Sequence, residues 1–251
     1  MKRVFFVIFG ALLLNACQQE ERKLVWSDEF DDDMLNEEVW NFKLGDGCPN
    51  LCGWGNNEPQ IYTKENTEVS NGTLKIHARL VDSVYTSSRI TTAEKKEFKY
   101  GYIESRIKLP NGKGLWPAFW MLGADIKKNP WPAAGEIDIM EWIGRDADSL
   151  FTSLHTPASF GETINTQKTF LEDNASWHTY AIDWNENRII FYRDDVAVYR
   201  FDPKVKDEQV YPFRKPFYIL VNMAVGGNFG GEIDDTIFPQ TLEVDYIRVY
   251  Q

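Results

Sequence analysis

Gly135-Glu136-Ile137-Asp138-Ile139-Met140-Glu141-Trp142-Ile143-Gly144 reads as a buried β-strand into which three carboxylates have been set. A charged side chain is almost never fully buried without a partner, and like charges at close range make one another harder to ionise. Folding alone gains nothing from such a cluster. Neighbouring carboxyls held in different protonation states are what acid/base chemistry uses, so the segment is a candidate site. Period-2 alternation puts Glu136, Asp138 and Met140 on one face and sends Glu141 to the other. One extra residue near Ile139 and Met140, a β-bulge, returns Glu141 to the face of Glu136 and Asp138, and bulges beside active sites re-aim side chains in this way. The spacing predicts that bulge. The bland alternative is a strand with one solvated acidic face; Trp131 and Trp142 beside the carboxylates speak against it by suggesting a walled cleft.

Strand and turn signals continue on both sides. Asn71-Gly72 separates residues 65–70 from the alternating residues 73–80, a strong hairpin signal, and Asp194-Asp195 plays the same part between 189–193 and 196–201. Residues 100–109, 177–184, 217–225 and 242–250 alternate or run apolar at strand length. No long amphipathic helix, repeat or linker divides residues 24–251. Many short strands joined by Gly, Asn, Asp and Pro turns predict an all-β fold: an antiparallel β-sandwich of jelly-roll type with a concave substrate cleft. With 251 residues, 43% of them hydrophobic, the chain can bury one large core.

The charge balance narrows the partners. Lys and Arg number 27 against 38 Asp and Glu, a formal net charge of −11, and no basic run is present. Nucleic acid is excluded as a partner, because phosphate binding needs clustered cations. Nine Trp in a chain that is 14% aromatic exceed what a core needs, so some of the rings should stack on sugar faces while the rest fill the sandwich. A polysaccharide partner and a monomer are expected.

Residues 1–16 read as an export signal, with Lys2 and Arg3 as the positive start, an apolar stretch too short to span a membrane, and Ala16 at the close. Leu14-Asn15-Ala16-Cys17 resembles a bacterial lipobox, which makes Cys17 the acylated new N-terminus, residues 17–23 a polar tether and residues 24–251 the catalytic domain. Lipid chains on Cys17 would hold the protein on the cell envelope, expected at the outer membrane, without a transmembrane segment. The alternative is a secreted or periplasmic protein with an incidental Cys17. Cys48 and Cys52 remain. In an oxidising compartment they could close a small loop as a disulfide, or stay as two free thiols.

Two carboxyls on one sheet face in a Trp-lined cleft suit glycoside hydrolysis, which needs a nucleophile or base on one side of the anomeric carbon and an acid at the leaving oxygen. No cofactor is called for. The three histidines, His77, His155 and His178, lie in no nucleophile-elbow sequence, so a Ser-His-Asp arrangement does not compete. Trp184 and His178 are assigned to the core or its edge.

The sequence resembles glycoside hydrolase family 16, specifically its laminarinase-like branch, the endo-β-1,3-glucanases. Glu136-Ile-Asp138-Ile-Met-Glu141 matches that branch's E-x-D-x-x-E signature, whereas the lichenase branch has the shorter E-x-D-x-E. Trp26-Ser-Asp-Glu-Phe30, Cys52-Gly-Trp-Gly-Asn-Asn-Glu58, Gly114-Leu-Trp-Pro-Ala-Phe-Trp120-Met-Leu, Trp177-His-Thr-Tyr180, Val221-Asn-Met-Ala-Val-Gly-Gly-Asn228 and Val244-Asp-Tyr-Ile-Arg-Val-Tyr250 match as well. The resemblance implies Glu136 as nucleophile, Glu141 as acid/base and Asp138 as the helper between them, with retention of anomeric configuration. It implies substrate contacts from Asn57, Arg89, Trp116, Trp120, His155 and Asn222. For each a structural reading stands beside it: core packing for the two Trp, a solvated surface Arg, a turn-forming Asn57, a satisfied His155. It also implies a structural calcium held by backbone oxygens near Glu29 and Gly72 and by a carboxylate at Asp245, which could equally be an outward polar residue. Pro59 departs from the family, which usually has a hydrophobic residue before Gln60; the loop carrying Asn57 is therefore expected to sit differently. Agarase, porphyranase, carrageenase and mixed-linkage glucanase activities are the neighbouring alternatives, and a non-catalytic carbohydrate-binding module is the alternative outside enzymes.

Overall fold

The structure, a computed structural model, describes residues 22–251. The signal segment 1–16, Cys17 and the first part of the tether lie outside the described residues. Two sheets, antiparallel except where Ile61–Tyr62 runs parallel to Val84–Ser87, stack as a sandwich, the arrangement expected when strands carry one apolar face each. The seven-stranded sheet runs, in spatial order, Thr166–Phe170, Ser149–His155, Glu136–Trp142, Leu115–Gly123, Phe217–Val225, Arg89–Thr91 and Asn41–Phe42. The ten-stranded sheet is built around Trp177–Trp184, Gly101–Lys108, Gln240–Tyr250 and Thr73–Val81, with Leu24–Asp28 and Thr67–Ser70 paired alongside. Phe119, Met121, Ile137 and Val221 of the first sheet and Ile103, Ile107, Ile182 and Val244 of the second are fully buried in one core cluster.

Alternation decides which residues reach the outer face of the seven-stranded sheet. In Leu115–Gly123, Leu115, Phe119 and Met121 enter the core, leaving Trp116 and Trp120 half-buried on the other side. In Phe217–Val225 the odd-numbered residues join the core and Asn222 does not. The strands 177–184 and 217–225 have the expected bounds, and the hairpins at Asn71-Gly72 and Asp194-Asp195 are present, each turn residue having a positive φ as a two-residue turn of this hand requires. Between 65 and 70 the structure differs: Lys64–Asn66 forms a 3-10 turn and the strand begins at Thr67, because the Asn66 amide donates to the His77 carbonyl and starts the pairing one turn later. The fold also reaches slightly into the expected tether. Lys23 exchanges both backbone hydrogen bonds with Gln251, and Arg22 pairs with Asp183 at 3.0 Å.

Candidate active site

The strand Glu136–Trp142 is flanked on both sides, and both ladders skip at the same place. Toward Leu115–Gly123 the register passes from Asp138 opposite Trp120 to Met140 opposite Phe119; toward Ser149–His155 it passes from Asp138 opposite Ser153 to Glu141 opposite Phe151. Each contains one residue more than its partner. Ile139 and Met140 both enter the core, and Glu141 emerges on the face of Glu136 and Asp138, so the bulge stands where the spacing placed it. Trp142 then turns inward, fully buried, with its indole N–H on the Ala147 carbonyl. It is a core residue and not part of a cleft wall.

The three carboxyls are crowded and nearly dry. Asp138 is 4% exposed and Glu141 8%. Burial removes the water that would stabilise their charges, and it is the main reason that Glu136, Asp138 and Glu141 are each pushed up to about 8. The Asp138 charge raises Glu136 and Glu141 further, while His155 lowers both. Asp138 also reaches Glu136 within hydrogen-bonding range, which pulls Asp138 back down. His155, directly opposite Glu136 in the ladder, holds Nε2 at 3.6 Å from Glu136 and 3.1 Å from Asp138. Its role there is electrostatic and close-packed; the Asp138 Oδ2 atom has no well-aligned donor. Glu141 is oriented by the Trp116 indole N–H, which donates to Oε1 at 3.0 Å, and by the Ser153 hydroxyl.

The other expected residues divide into two groups. Asn222 stands opposite Arg89 in one ladder and opposite Ala118 in the next, two strands from the carboxylates. Its Oδ1 accepts the Trp120 indole N–H at 2.8 Å, which fixes that ring. The Arg89 guanidinium lies between two indoles, 4.9 Å from Trp54 and 4.8 Å from Trp120, and its buried Nε has no partner. Asn57 sits apart, at φ 57°, donating to Asn228 at 2.8 Å. Pro59, which has no backbone N–H to donate, stands in the same loop. On either side of it Glu58 and Gln60 are buried and bonded to each other at 2.7 Å, Gln60 accepts the Val225 N–H, and Tyr62 donates to Glu58. Cys48 and Cys52 are joined as a disulfide, Cα to Cα 4.2 Å, beside the turn that carries Trp54.

Glu29, Gly72 and Asp245 all belong to the ten-stranded sheet or its turns, away from the carboxylates. Arg248 grips both oxygens of Glu29, at 2.9 and 2.8 Å, and Arg106 holds Asp245 at 2.7 Å. Calcium favours several uncommitted oxygen ligands with carboxylates among them. The expected ligands are backbone oxygens near Glu29 and Gly72, which the Arg248 pairing leaves aside, together with the Asp245 carboxylate, one oxygen of which is held by Arg106. Among the described residues, the one group of side chains close enough to share an ion is Glu136, Asp138 and His155, the catalytic candidates themselves.

Sequence reasoning passed over Ser153, Trp54 and the Glu58–Gln60–Tyr62 network. Ser153 was within reach: it lies two residues before His155 on the same strand face. The network was not, since it is assembled from a loop and two strands far apart in sequence.

Paired carboxyls on one face of a jelly-roll sheet, with indole rings and a caged arginine beside them, define a glycoside hydrolase. Residues 55–248 match the model of glycosyl hydrolases family 16, and the chain belongs to that family. It is 38% identical to a β-glucanase from Rhodothermus marinus, over 100% of this chain and 95% of that one. The crystal structure of laminarinase from Flavobacterium sp. UMI-01 superposes with a TM-score of 0.90 at 55% identity, covering 91% of this chain and 100% of that one. The laminarinase catalytic domain from Thermotoga maritima MSB8 gives a TM-score of 0.86 at 41% identity, over 92% and 99% of the two chains.

Proposed function

We propose that the protein hydrolyses β-1,3-glucan internally with retention of configuration, Glu136 acting as nucleophile and Glu141 as acid/base. The observation that carries this reading is the bulge, which sets the two carboxyls on one face with Asp138 between them. In the first step a Glu136 oxygen bonds to the anomeric carbon as the glycosidic bond breaks, and Glu141 gives its proton to the departing oxygen. In the second, Glu141 takes a proton from water, the water oxygen bonds to the anomeric carbon, and Glu136 leaves as a carboxylate. Burial, Asp138 and His155 act on Glu136 and Glu141 in the same sense, so the unequal parts are set by the other contacts: Arg89 acts on Glu136, whereas Trp116 and Ser153 bond Glu141. Trp116 and Ser153 aim Glu141. Trp120, Asn222 and Arg89 hold glucosyl units on one side of the cleaved bond, Asn57 contributes further along, and His155 lies on the leaving-group side.

The same proposal takes residues 1–16 as an export signal and Cys17 as a lipidated anchor at the outer membrane; its support is the charged, apolar and small-residue pattern of that segment. The reaction is read without a cofactor.

Product analysis tests the reading. Incubated with laminarin, lichenan, agarose and carrageenan, the purified protein should release a ladder of oligosaccharides from laminarin first, with the β-anomer appearing first by proton NMR. Glu136→Gln should lose at least about 10³-fold in kcat, since it removes the bond-forming group itself. Release of the α-anomer, or a fully active Glu136→Gln, refutes the mechanism; turnover of agarose or carrageenan alone refutes the substrate. Binding without turnover moves the protein to a carbohydrate-binding role.

A further inference from the structure

Sheet order gives the cleft a direction. Trp120, Asn222 and Arg89 occupy three successive strands on one side of Glu136–Trp142, while Ser149–His155 and Thr166–Phe170 lie on the other. A glucan crossing the strands with its cleaved bond over Glu136 and Glu141 therefore passes its far end beyond His155. At that end two large rings stand open to solvent: Trp131 is 43% exposed and Phe160 51%. They continue the site without a break. Trp131 lies 5.8 Å from the His155 ring, and Phe160 meets Trp131 edge to face at 5.3 Å.

Neither ring is held up by a mobile segment. Thr156 and Ser159 exchange backbone hydrogen bonds at 2.9 and 3.0 Å, the Thr163 hydroxyl donates to the Leu154 carbonyl at 2.9 Å, and the Ile164 N–H donates to Ser159 at 3.0 Å, so the turn presenting Phe160 is internally bonded. The loop carrying Trp131 is pinned by Lys215, which donates to Asp125 at 2.9 Å and to the Ala133 carbonyl at 3.1 Å. Rigid aromatic side chains offer contact area at little cost in conformational entropy.

We propose that Trp131 and Phe160 form the platform for glucosyl units on the leaving-group side, and that the platform sets how well a sugar hydroxyl competes with water for the glycosyl-enzyme. The inference rests on the retaining mechanism above. In the transfer step the acceptor hydroxyl oxygen bonds to the anomeric carbon, the bond from that carbon to Glu136 breaks, and the hydroxyl proton passes to the Glu141 carboxylate, which gave up its own proton in the first step. Water needs no platform; an acceptor sugar does.

The test compares wild type, Phe160→Ala, Phe160→Tyr and the Trp131→Ala/Phe160→Ala pair on two substrates. One is a laminari-oligosaccharide that fills both sides of the site. The other is β-laminaribiosyl fluoride, whose leaving group is too small to reach the platform. In Phe160→Ala the ratio of kcat/KM on the oligosaccharide to that on the fluoride should fall about tenfold, the size expected for one lost ring contact, and in the double variant further still, while the unfolding midpoint stays put. The fraction of longer transfer products at high oligosaccharide concentration should fall with it, and Phe160→Tyr should keep both. An unchanged ratio with unchanged transfer overturns the platform, as does equal loss on both substrates. A wild type that cleaves neither substrate overturns the retaining mechanism itself, and the platform with it.

Discussion

Asp138→Asn should make the protein more stable at high pH while disabling it. Asp138 is 4% exposed, and its carboxyl is raised from 3.8 to about 8, chiefly because burial strips its water, with the hydrogen bond to Glu136 acting the other way. A carboxyl raised in the fold binds its proton more tightly there than in the unfolded chain. Its contribution to stability is complete below the unfolded value near 4 and is lost as pH climbs through the folded value near 8. A shift of this size corresponds to about 6 kcal/mol at 1.36 kcal/mol per pKa unit. Asparagine has the same shape and cannot ionise, but Glu136 and Glu141 stay behind and redistribute their protons, and water enters the loosened site. About 2–3 kcal/mol of that swing should therefore be seen between pH 5 and pH 9.

Urea unfolding at pH 5, 7 and 9, followed by tryptophan fluorescence, measures it. At pH 5 the wild type carries its proton and the two proteins should differ by less than about 1 kcal/mol, the wild type ahead because its O–H can donate. At pH 9 the variant should lead by about 2 kcal/mol. Turnover should drop about 10²-fold at either pH, because Glu136 loses the group that orients and shares a proton with it. A stability difference that is the same at all three pH values refutes the argument, since it would mean that Asp138 is not held protonated by its burial.

Two further outcomes follow from single contacts. Trp116→Phe removes the indole N–H from Glu141, and because that bond favours the charged form, the alkaline limb of the kcat/KM profile should move to higher pH with about a tenfold lower kcat; a limb that stays in place sinks the assignment of Glu141 as the acid. Gly144→Ala puts a Cβ 1.7 Å from the Gly112 carbonyl oxygen at the end of the catalytic strand, so backbone must move and about 3 kcal/mol of stability should be lost in urea melts; a loss under about 0.5 kcal/mol contradicts the packing.

What the sequence showed clearly was whatever depends on neighbours in the chain. The hairpin at Asn71-Gly72 and the strand 217–225 could be read because turn chemistry and alternation are local. So could the bulge, from the spacing of Glu136, Asp138 and Glu141. The role of Trp142 could not, because its side depends on the bulge having already shifted the phase of the strand. The Trp54–Arg89–Trp120 stack was equally out of reach, since its members come from a turn beside a disulfide and from two strands that the sheet sets on either side of Phe217–Val225. The pairing of Asp245 with Arg106 and of Glu29 with Arg248 joins residues 139 and 219 positions apart, and no local pattern records it.

The bulge is itself a consequence of side-chain free energy. In Glu136–Trp142 the apolar residues are Ile137, Ile139, Met140 and Trp142, and strict alternation cannot bury all four. A straight strand would leave Met140 and Trp142 in the cleft, forfeiting about 2 kcal/mol of burial or more for each, and would drive Glu141 into the core with no partner, at a cost of several kcal/mol more. One unpaired residue in the ladder loses at most a backbone hydrogen bond or two, each worth about 1 kcal/mol net. The bulged strand is thus the lower state by a clear margin. The apolar pair Ile139-Met140 ahead of Glu141 therefore carries as much of the catalytic geometry as the carboxylates do: the core, by claiming both residues, turns the acid outward to face its nucleophile.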